Sequence, residues 1–200
     1  MRLPLIAAGL MTLPLMACNP NASPDPTADE TGATPATAPA AARAPVGASA
    51  QASLTDGNGG AAGTASFRQG PTGVLIRIEA TGLTPGWHGL HLHAIGQCQG
   101  PGFTTAGAHV QHGGGTVPHG LLNAEGSDAG DLPNLYVGTD GRGFAEVFTP
   151  NARLADTGPG ESLLDADGSA ILIHAAPDDY VSQPIGGSGD RVACGVISAP

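Results

Sequence analysis

Three of the seven histidines of this 200-residue chain stand within six positions, as His88, His91 and His93. His91 and His93 are two apart, and on a β-strand this spacing places both imidazoles on one face. Two imidazoles on one face can bind a single transition-metal ion such as copper, zinc, iron or nickel. Two histidines with this spacing and no other ligand can also be solvent-facing side chains, so the interpretation depends on further ligands. His88 has the opposite strand parity and is expected to face away from the pair.

Further residues of metal-binding type follow in the chain. They are His109, His112, His119, Asp128, Asp131 and His174. His174 ends an apolar run, 170–173, that is typical of a core strand, so its imidazole is expected to emerge at a strand end. A lone histidine there is more often a structural residue, but beside His91 and His93 it is a good additional ligand. The set predicts a transition-metal site.

The elements that would position these residues are short strands. Glycine (32) and proline (18) are abundant and aromatic residues are only 4%, which favours turns and short strands over long helices. Eight strands are predicted, at residues 48–54, 64–67, 74–80, 87–95, 135–138, 143–148, 169–174 and 192–197. Such a series predicts an all-β Greek-key sandwich or barrel. The Gly-rich stretch 97–131 has little periodicity, and we expect metal binding and a disulfide to order it.

The first seventeen residues predict a signal peptide. Arg2 precedes an apolar run, 3–17, that is too short to span a bilayer. The run leads through Leu15-Met16-Ala17 to Cys18 and resembles a bacterial lipoprotein signal, whose cysteine becomes the lipidated first residue. A plain secretory signal and an uncleaved anchor are the alternatives. In lipoprotein signals of this kind, asparagine rather than aspartate directly after the cysteine, as at Asn19, favours placement of the protein in the outer membrane.

Residues 19–45 predict a disordered tether, because they contain no Leu, Ile, Val, Phe, Tyr or Trp to bury. We therefore interpret the chain as a signal peptide (1–17), a lipidated Cys18 with its linker (18–45) and one folded domain (46–200). With Cys18 assigned to lipid, Cys98 and Cys194 remain. An exported protein can join them or keep them as free thiols.

From Val46 to Ile197 the sequence resembles the copper/zinc superoxide dismutases of the bacterial envelope. The resemblance rests on six blocks in the family's order: 86–93 (GWHGLHLH), 106–109 (AGAH), 119–123 (HGLLN), 129–134 (AGDLPN), 167–174 (DGSAILIH) and 189–197 (GDRVACGVI). It implies an eight-stranded Greek-key barrel with long loops. It also implies dismutation of superoxide to O2 and H2O2 by copper cycling between Cu(II) and Cu(I), with zinc beside it, and a disulfide between Cys98 and Cys194.

The same resemblance implies a role for each matching residue. Copper would be bound by His91, His93, His109 and His174. Zinc would be bound by His109, His119, Asp131 and one further ligand. His109 would bridge the two ions as an imidazolate and carry a proton during catalysis. Arg191 matches the arginine that meets the anionic substrate, Asp178 the carboxylate that links ligands of both ions, and His88 a non-ligand histidine that pins the loops.

Two departures from the family pattern affect the zinc site. The family usually has a third zinc histidine three residues before the zinc aspartate, where this chain has Asp128. The segment from His109 to His119 is also longer than is common. An aspartate can bind zinc, so Asp128 is the expected fourth ligand. His112 is its rival, since the neighbouring glycines could let this loop fold back.

A non-catalytic copper- and zinc-binding envelope protein of the same fold is the alternative function. Relatives of that kind typically lack copper ligands or the active-site arginine, whereas the four copper histidines and Arg191 are all present. All seven basic residues are arginine, and the net charge of −10 argues against nucleic acid or an anionic membrane as partner. The expected partner is superoxide, with membrane contact through the N-terminal lipid alone; the oligomeric state stays open.

Overall fold

The computed structural model describes residues 47–113 and 115–200. It contains ten strands: β1 Ser49–Asp56, β2 Ala61–Gly70, β3 Gly73–Thr81, β4 Gly86–His93, β5 Asp131–Val137, β6 Arg142–Thr149, β7 Ala152–Arg153, β8 Glu161–Ser162, β9 Ser169–His174 and β10 Arg191–Ile197. Within these residues no helix is both long and apolar enough to span a membrane. The predicted signal peptide, Cys18 and the linker lie outside the described residues and stay predictions.

Eight strands form a closed antiparallel barrel in the order β1-β10-β9-β4-β5-β6-β3-β2. The short strands β7 and β8 form a separate parallel pair. β4, β5 and β6 are consecutive neighbours, and β3 lies beside β6 rather than beside β4, which is the Greek-key arrangement. The predicted all-β Greek-key barrel is confirmed.

The barrel forms because its strands alternate apolar and polar side chains. In β3, Val74, Ile76, Ile78 and Ala80 are buried, while Arg77 and Glu79, which alternate with them, are exposed. Residues at every second position share one face of a strand, so the apolar set lines the interior. Burying each such side chain contributes about 1.5–3 kcal/mol, which favours this register over a one-residue slip.

The start of β5 differs most from the sequence prediction. The strand begins at Asp131, whereas the pattern predicts a start at 135, because Pro133 and Asn134 are typical of turns. The β4–β5 ladder is irregular at this point, between His88 and Leu90. Proline is tolerated where a ladder is interrupted, since no N–H is required there. The irregularity lets β5 continue to Asp131, which pairs with His91.

Candidate metal centre

The candidate centre lies outside the barrel wall, beneath two long loops. Leu90 and Leu92 of β4 belong to the barrel core, whereas His91 and His93 alternate with them and are also fully buried. The ring of His91 is hydrogen-bonded to Asp178 of the loop 175–190. The ring of His93 is hydrogen-bonded to Gly107 of the loop 94–130. The spacing of two therefore puts both imidazoles on one face, and the loops cover that face.

His109 and His174 join this pair. An isolated bridge pairs His109 with His93, and β9 places His174 beside β4. One ligand atom from each of the four histidines lies within 4.8 Å of the other three. The nitrogens without a hydrogen-bond partner are His91 Nδ1, His93 Nε2, His109 Nε2 and His174 Nε2. A buried polar atom without a partner is costly, so this convergence indicates a cation-binding site.

The opposite ring nitrogens fix the orientation of these imidazoles. His93 Nδ1 donates to the carbonyl of Gly107, and His174 Nδ1 donates to that of Gly189, each at 3.0 Å. Because a carbonyl can only accept, the other nitrogen of each ring carries its lone pair. Burial lowers the pKa of His93 to about 2 and that of His174 to about 3. Both rings are therefore neutral at physiological pH, as metal binding requires.

A second group lies on the other side of His109. His109 Nδ1 is 3.0 Å from Asp128 Oδ2 and 3.4 Å from Asp131 Oδ1. His119 Nδ1 is 2.5 Å from Asp131 Oδ1 and 3.9 Å from Asp128 Oδ2. Burial alone would lower the pKa of His119, but Asp131 and Asp178 raise it to about 10. Two imidazoles and two carboxylates that converge in this way are a donor set suited to zinc.

The rival zinc ligands occupy different surroundings. Asp128 is buried, and its Oδ1 accepts a hydrogen bond from the backbone N–H of Gly130 at 3.1 Å. His112 is partly exposed and, among the described residues, has no ligand atom in the two converging sets, of which the second consists of His91, His109, His119 and Asp131. Asp128 is not in those sets either, but its Oδ2 lies 3.0 Å from His109 Nδ1. The next residue, Gly113, donates to Glu161 at 2.9 Å, which ties this part of the loop to β8. The geometry brings Asp128 and not His112 to the second group.

The carboxylate of Asp178 joins the two groups. Its Oδ2 lies 2.8 Å from His91 Nε2, and its Oδ1 lies 3.1 Å from His119 Nε2. Against the effect of burial, these two rings hold the pKa of Asp178 well below its usual range. A side chain at Gly186 would overlap the carboxylate, which explains the glycine there. His88 stands apart: its ring contacts the carbonyls of His174 (2.6 Å) and Thr84 (2.8 Å).

Three residues that position the site, Asn134, Tyr180 and Gln183, are given no role by the sequence analysis, although Asn134 lies in one of the matching blocks. Asn134 and Asp178 exchange two hydrogen bonds of 2.9 Å, from Asn134 Nδ2 to the Asp178 carbonyl and from the Asp178 N–H to Asn134 Oδ1. The N–H of Asn134 also donates to the Tyr180 hydroxyl at 2.7 Å. Gln183 holds the backbone of His119 at both its N–H and its carbonyl. These contacts join distant segments, which local patterns cannot predict.

Arg191 faces the centre from the first residue of β10. Its guanidinium donates to the carbonyls of Phe103 and Gly107, each at 2.7 Å. A cavity of about 300 Å³ is lined by Arg191 together with His109 and other residues of both loops. A fixed positive group beside a small cavity can bind a small anion.

The disulfide Cys98–Cys194 fixes the loop whose carbonyl groups accept hydrogen bonds from Arg191. The two Cα atoms are 5.6 Å apart, and the bond links residues 96 apart in the chain. Cys194 lies on β10, three residues after Arg191, so the bond fixes the loop carbonyls relative to the strand that carries the arginine. The disulfide expected from the resemblance is confirmed.

Comparisons with known proteins agree with this geometry. The sequence profile of copper/zinc superoxide dismutase matches residues 61–197. The chain is 51% identical over 149 residues to the Cu-Zn superoxide dismutase of Caulobacter vibrioides and 41% identical over 149 residues to the Cu-Zn superoxide dismutase 2 of Aquifex aeolicus. Each of these alignments covers 74% of this chain and 85% of the relative.

Solved structures show the same fold. A double mutant of a superoxide dismutase-like protein from Bacillus subtilis superposes with a TM-score of 0.68 at 38% identity, covering 73% of this chain and 95% of that one. The Cu/Zn superoxide dismutase of Brucella abortus superposes with a TM-score of 0.59 at 28% identity, covering 75% and 99%. This chain therefore belongs to the copper/zinc superoxide dismutase family.

Proposed function

We propose that this protein dismutates superoxide, with one ion bound at each group of the metal centre. Copper is held by His91, His93, His109 and His174, and zinc by His109, His119, Asp128 and Asp131. The observation that carries the proposal is the convergence of four buried ring nitrogens without partners, beside a cavity that holds an arginine. The names of the two relatives, each a Cu-Zn superoxide dismutase, support the same activity.

The residues present fit both ions. Four imidazoles suit copper, and two imidazoles with two carboxylates suit zinc. When bound, copper supplies the redox chemistry: one superoxide gives up an electron and leaves as O2, and a second takes that electron with two protons and leaves as H2O2. Zinc does not change its oxidation state.

Arg191, His109 and Asp178 bind the substrate, transfer a proton and orient the ligands, respectively. The Arg191 guanidinium binds the superoxide anion, and its bonds to two loop carbonyls hold it at the cavity. His109 presents Nε2 to one group and Nδ1 to the other, so Nε2 can hold a proton and deliver it to the reduced substrate. Asp178 orients one histidine of each group through its two oxygens, which keeps both rings in one tautomer.

The function is tested by metal analysis of the purified protein together with a dismutation assay. We expect copper and zinc in the protein and a dismutation rate that follows the copper content. Removing copper with a chelator should abolish the activity, and adding copper should restore it. A protein that binds both ions but does not dismutate superoxide would instead be a non-catalytic metal binder of the same fold.

We assign Asp128, rather than His112, to zinc because only Asp128 is buried against the second group. Zinc content after dialysis at falling pH tests the choice. Asp128→Ala should release zinc at higher pH than the unsubstituted protein, since a ligand is lost, whereas His112→Ala should behave as the unsubstituted protein does. Retention of zinc by Asp128→Ala together with its loss from His112→Ala would assign the ligand to the loop histidine.

We also propose that the domain works in the bacterial cell envelope, tethered by lipid at Cys18. The support is the N-terminal sequence: a short apolar run that ends at Leu15-Met16-Ala17-Cys18, then a linker without large apolar residues. Asn19 favours the outer membrane. Cys18→Ala should keep the dismutase activity and leave the membrane fraction. An unchanged membrane fraction would exclude lipid at Cys18 as the anchor.

A further inference from the structure

Phe103 has a backbone conformation that a phenylalanine rarely adopts. Its φ of 52° and ψ of 26° lie in the left-handed region. Among the described residues, the other non-glycine residue with a positive φ is Tyr180. In this region the Cβ atom lies too close to the following carbonyl oxygen, so the conformation is unfavourable for most residues other than glycine. It persists only where the surrounding structure imposes it, and such positions cluster at functional sites.

The buried ring of Phe103 holds this conformation in place. The side chain is 1% exposed and packs in a small apolar cluster. The other buried members of this cluster are Ala106, Ala170, Leu172 and Cys194. The two members from β9 alternate along that strand with residues of the barrel core, so the cluster lies outside the barrel wall. A different backbone conformation would remove the ring from this cluster, so its burial offsets the unfavourable φ.

The carbonyl of Phe103 is one of the two that hold Arg191. Arg191 Nη1 donates to it at 2.7 Å, and Arg191 Nη2 donates to the carbonyl of Gly107, also at 2.7 Å. Phe103 and Gly107 flank a single turn of 3-10 helix, Thr104–Ala106, and their φ values are 52° and 76°. Both acceptors therefore belong to residues with a positive φ, which directs the two carbonyls to one guanidinium.

The carbonyl of Gly107 also connects this turn to the copper group. It accepts the ring N–H of His93 at 3.0 Å as well as the bond from Arg191. A single bond to Gly107 would leave the planar guanidinium free to rotate about that contact. The second bond, to Phe103, fixes the plane of the guanidinium relative to His93, because two donors of one rigid fork are then held.

We propose that Phe103 is a positioning residue for the anionic substrate. Its left-handed backbone, held by the buried ring, directs the carbonyl that orients Arg191 toward the copper group. Phe103 acts through Arg191, since it does not line the cavity that Arg191 shares with His109. The inference rests on the proposed function. Azide, a small anion that binds Cu(II), tests it without dismutation, so a protein that binds copper but is inactive would still decide it.

The experiment measures the affinity of azide for the copper- and zinc-loaded protein, from the absorption that azide produces on binding Cu(II). Phe103→Gly and Phe103→Ala both remove the ring, but only glycine adopts a positive φ without strain. Azide should bind Phe103→Ala at least about fivefold more weakly than Phe103→Gly. This difference should disappear when Arg191→Ala is added to each protein, because the carbonyl then has no guanidinium to orient.

A second pair of variants keeps an apolar side chain in the cluster, in case loss of the ring prevents folding. Phe103→Leu and Phe103→Ile introduce side chains of equal volume, but a β-branched residue tolerates a positive φ less well. Azide should therefore bind Phe103→Ile more weakly than Phe103→Leu, and kcat/KM for superoxide should fall in the same order. Phe67→Leu is the matched control: it shortens a fully buried phenylalanine of the barrel core and should lower stability to urea without changing azide affinity.

Three results would overturn the proposal. The first is equal azide affinity within both pairs, because Phe103 would then support the fold without orienting Arg191. The second is a difference between Phe103→Ala and Phe103→Gly that persists after Arg191→Ala is added. The third is a changed Cu(II) absorption band in Phe103→Ala before azide is added, which would show that the turn displaces His93 rather than the arginine.

Discussion

Replacing Asn134 with alanine should weaken zinc binding without disrupting the barrel. The substitution removes two hydrogen bonds of 2.9 Å that hold the backbone of Asp178. Each contributes about 0.5–1.5 kcal/mol, so about 1–3 kcal/mol of positioning free energy is lost. Asp178 is not itself a ligand but orients His91 and His119, so up to this free energy is lost from zinc binding, which corresponds to a fall in affinity of up to about 100-fold. Asn134→Asp keeps the acceptor and loses the donor, so we expect an intermediate effect.

The assay is competition for zinc with a chelator of known affinity, with the Cu(II) absorption band recorded in parallel. Because Asp178 contacts both His91 and His119, the band should also shift in Asn134→Ala. Gln51→Ala is the matched control, since Gln51 is an exposed amide on β1 whose strand partners, Ser66 and Ser198, belong to neither group of the centre. An unchanged zinc affinity and absorption band, with only a lower melting temperature, would show that Asn134 supports the fold and does not position Asp178.

Three further outcomes follow from the same geometry. Arg191→Glu should lower kcat/KM for superoxide at least about tenfold relative to Arg191→Lys, because lysine keeps the positive charge and loses only the planar fork; equal rates would remove Arg191 from the substrate path. Replacing Cys98 and Cys194 together with serine should lower the free energy of unfolding by about 4–5 kcal/mol, measured by denaturant unfolding, and a change below about 1 kcal/mol would contradict this. In the metal-free protein, burial lowers the pKa of His174 from 6.5 to about 3. Between these two pH values the unfolded chain binds more protons than the folded one. The free energy of unfolding therefore increases by about 1.4 kcal/mol for each unit by which the pH rises, from this residue alone. Against the effect of burial, Asp131 and Asp178 raise the pKa of His119 to about 10, so its stabilisation is complete below pH 6.5 and is lost between pH 6.5 and 10. Urea unfolding across this range should show a maximum near pH 6.5, and a stability that rises steadily to pH 10 would contradict the assignment.

The barrel could be predicted from sequence because alternation is a local signal. Residues 169–174 predict a strand with the bounds that β9 has, because four consecutive apolar residues stand between Ser169 and His174. β5 could not be predicted in full, because Pro133 and Asn134 are typical of turns and the irregular ladder that accommodates them depends on β4. The two-residue strands β7 and β8 are too short to produce a periodic pattern.

The candidate site could likewise be predicted where the signal is local and not where it depends on residues distant in the chain. The spacing of His91 and His93 predicts that they share a face, whereas the assignment of the other candidate ligands to copper or zinc follows from the resemblance to the family. The hydrogen bonds between Asn134 and Asp178 could not be predicted, because they connect residues 44 apart that only the folded loops bring together. The sequence identifies Asp128 as an aspartate where the family usually has a zinc histidine. Only the structure places its carboxylate 3.0 Å from the ring of His109.

The most direct test of the central claim is copper content and dismutation measured together in His174→Ala. The substitution removes one of the four converging nitrogens while the strand that carries it stays buried in the barrel. We expect a folded protein that binds copper much more weakly and has lost its dismutase activity, while zinc remains at the second group. Undiminished dismutation by a copper-free His174→Ala protein would contradict the assignment of catalysis to this site.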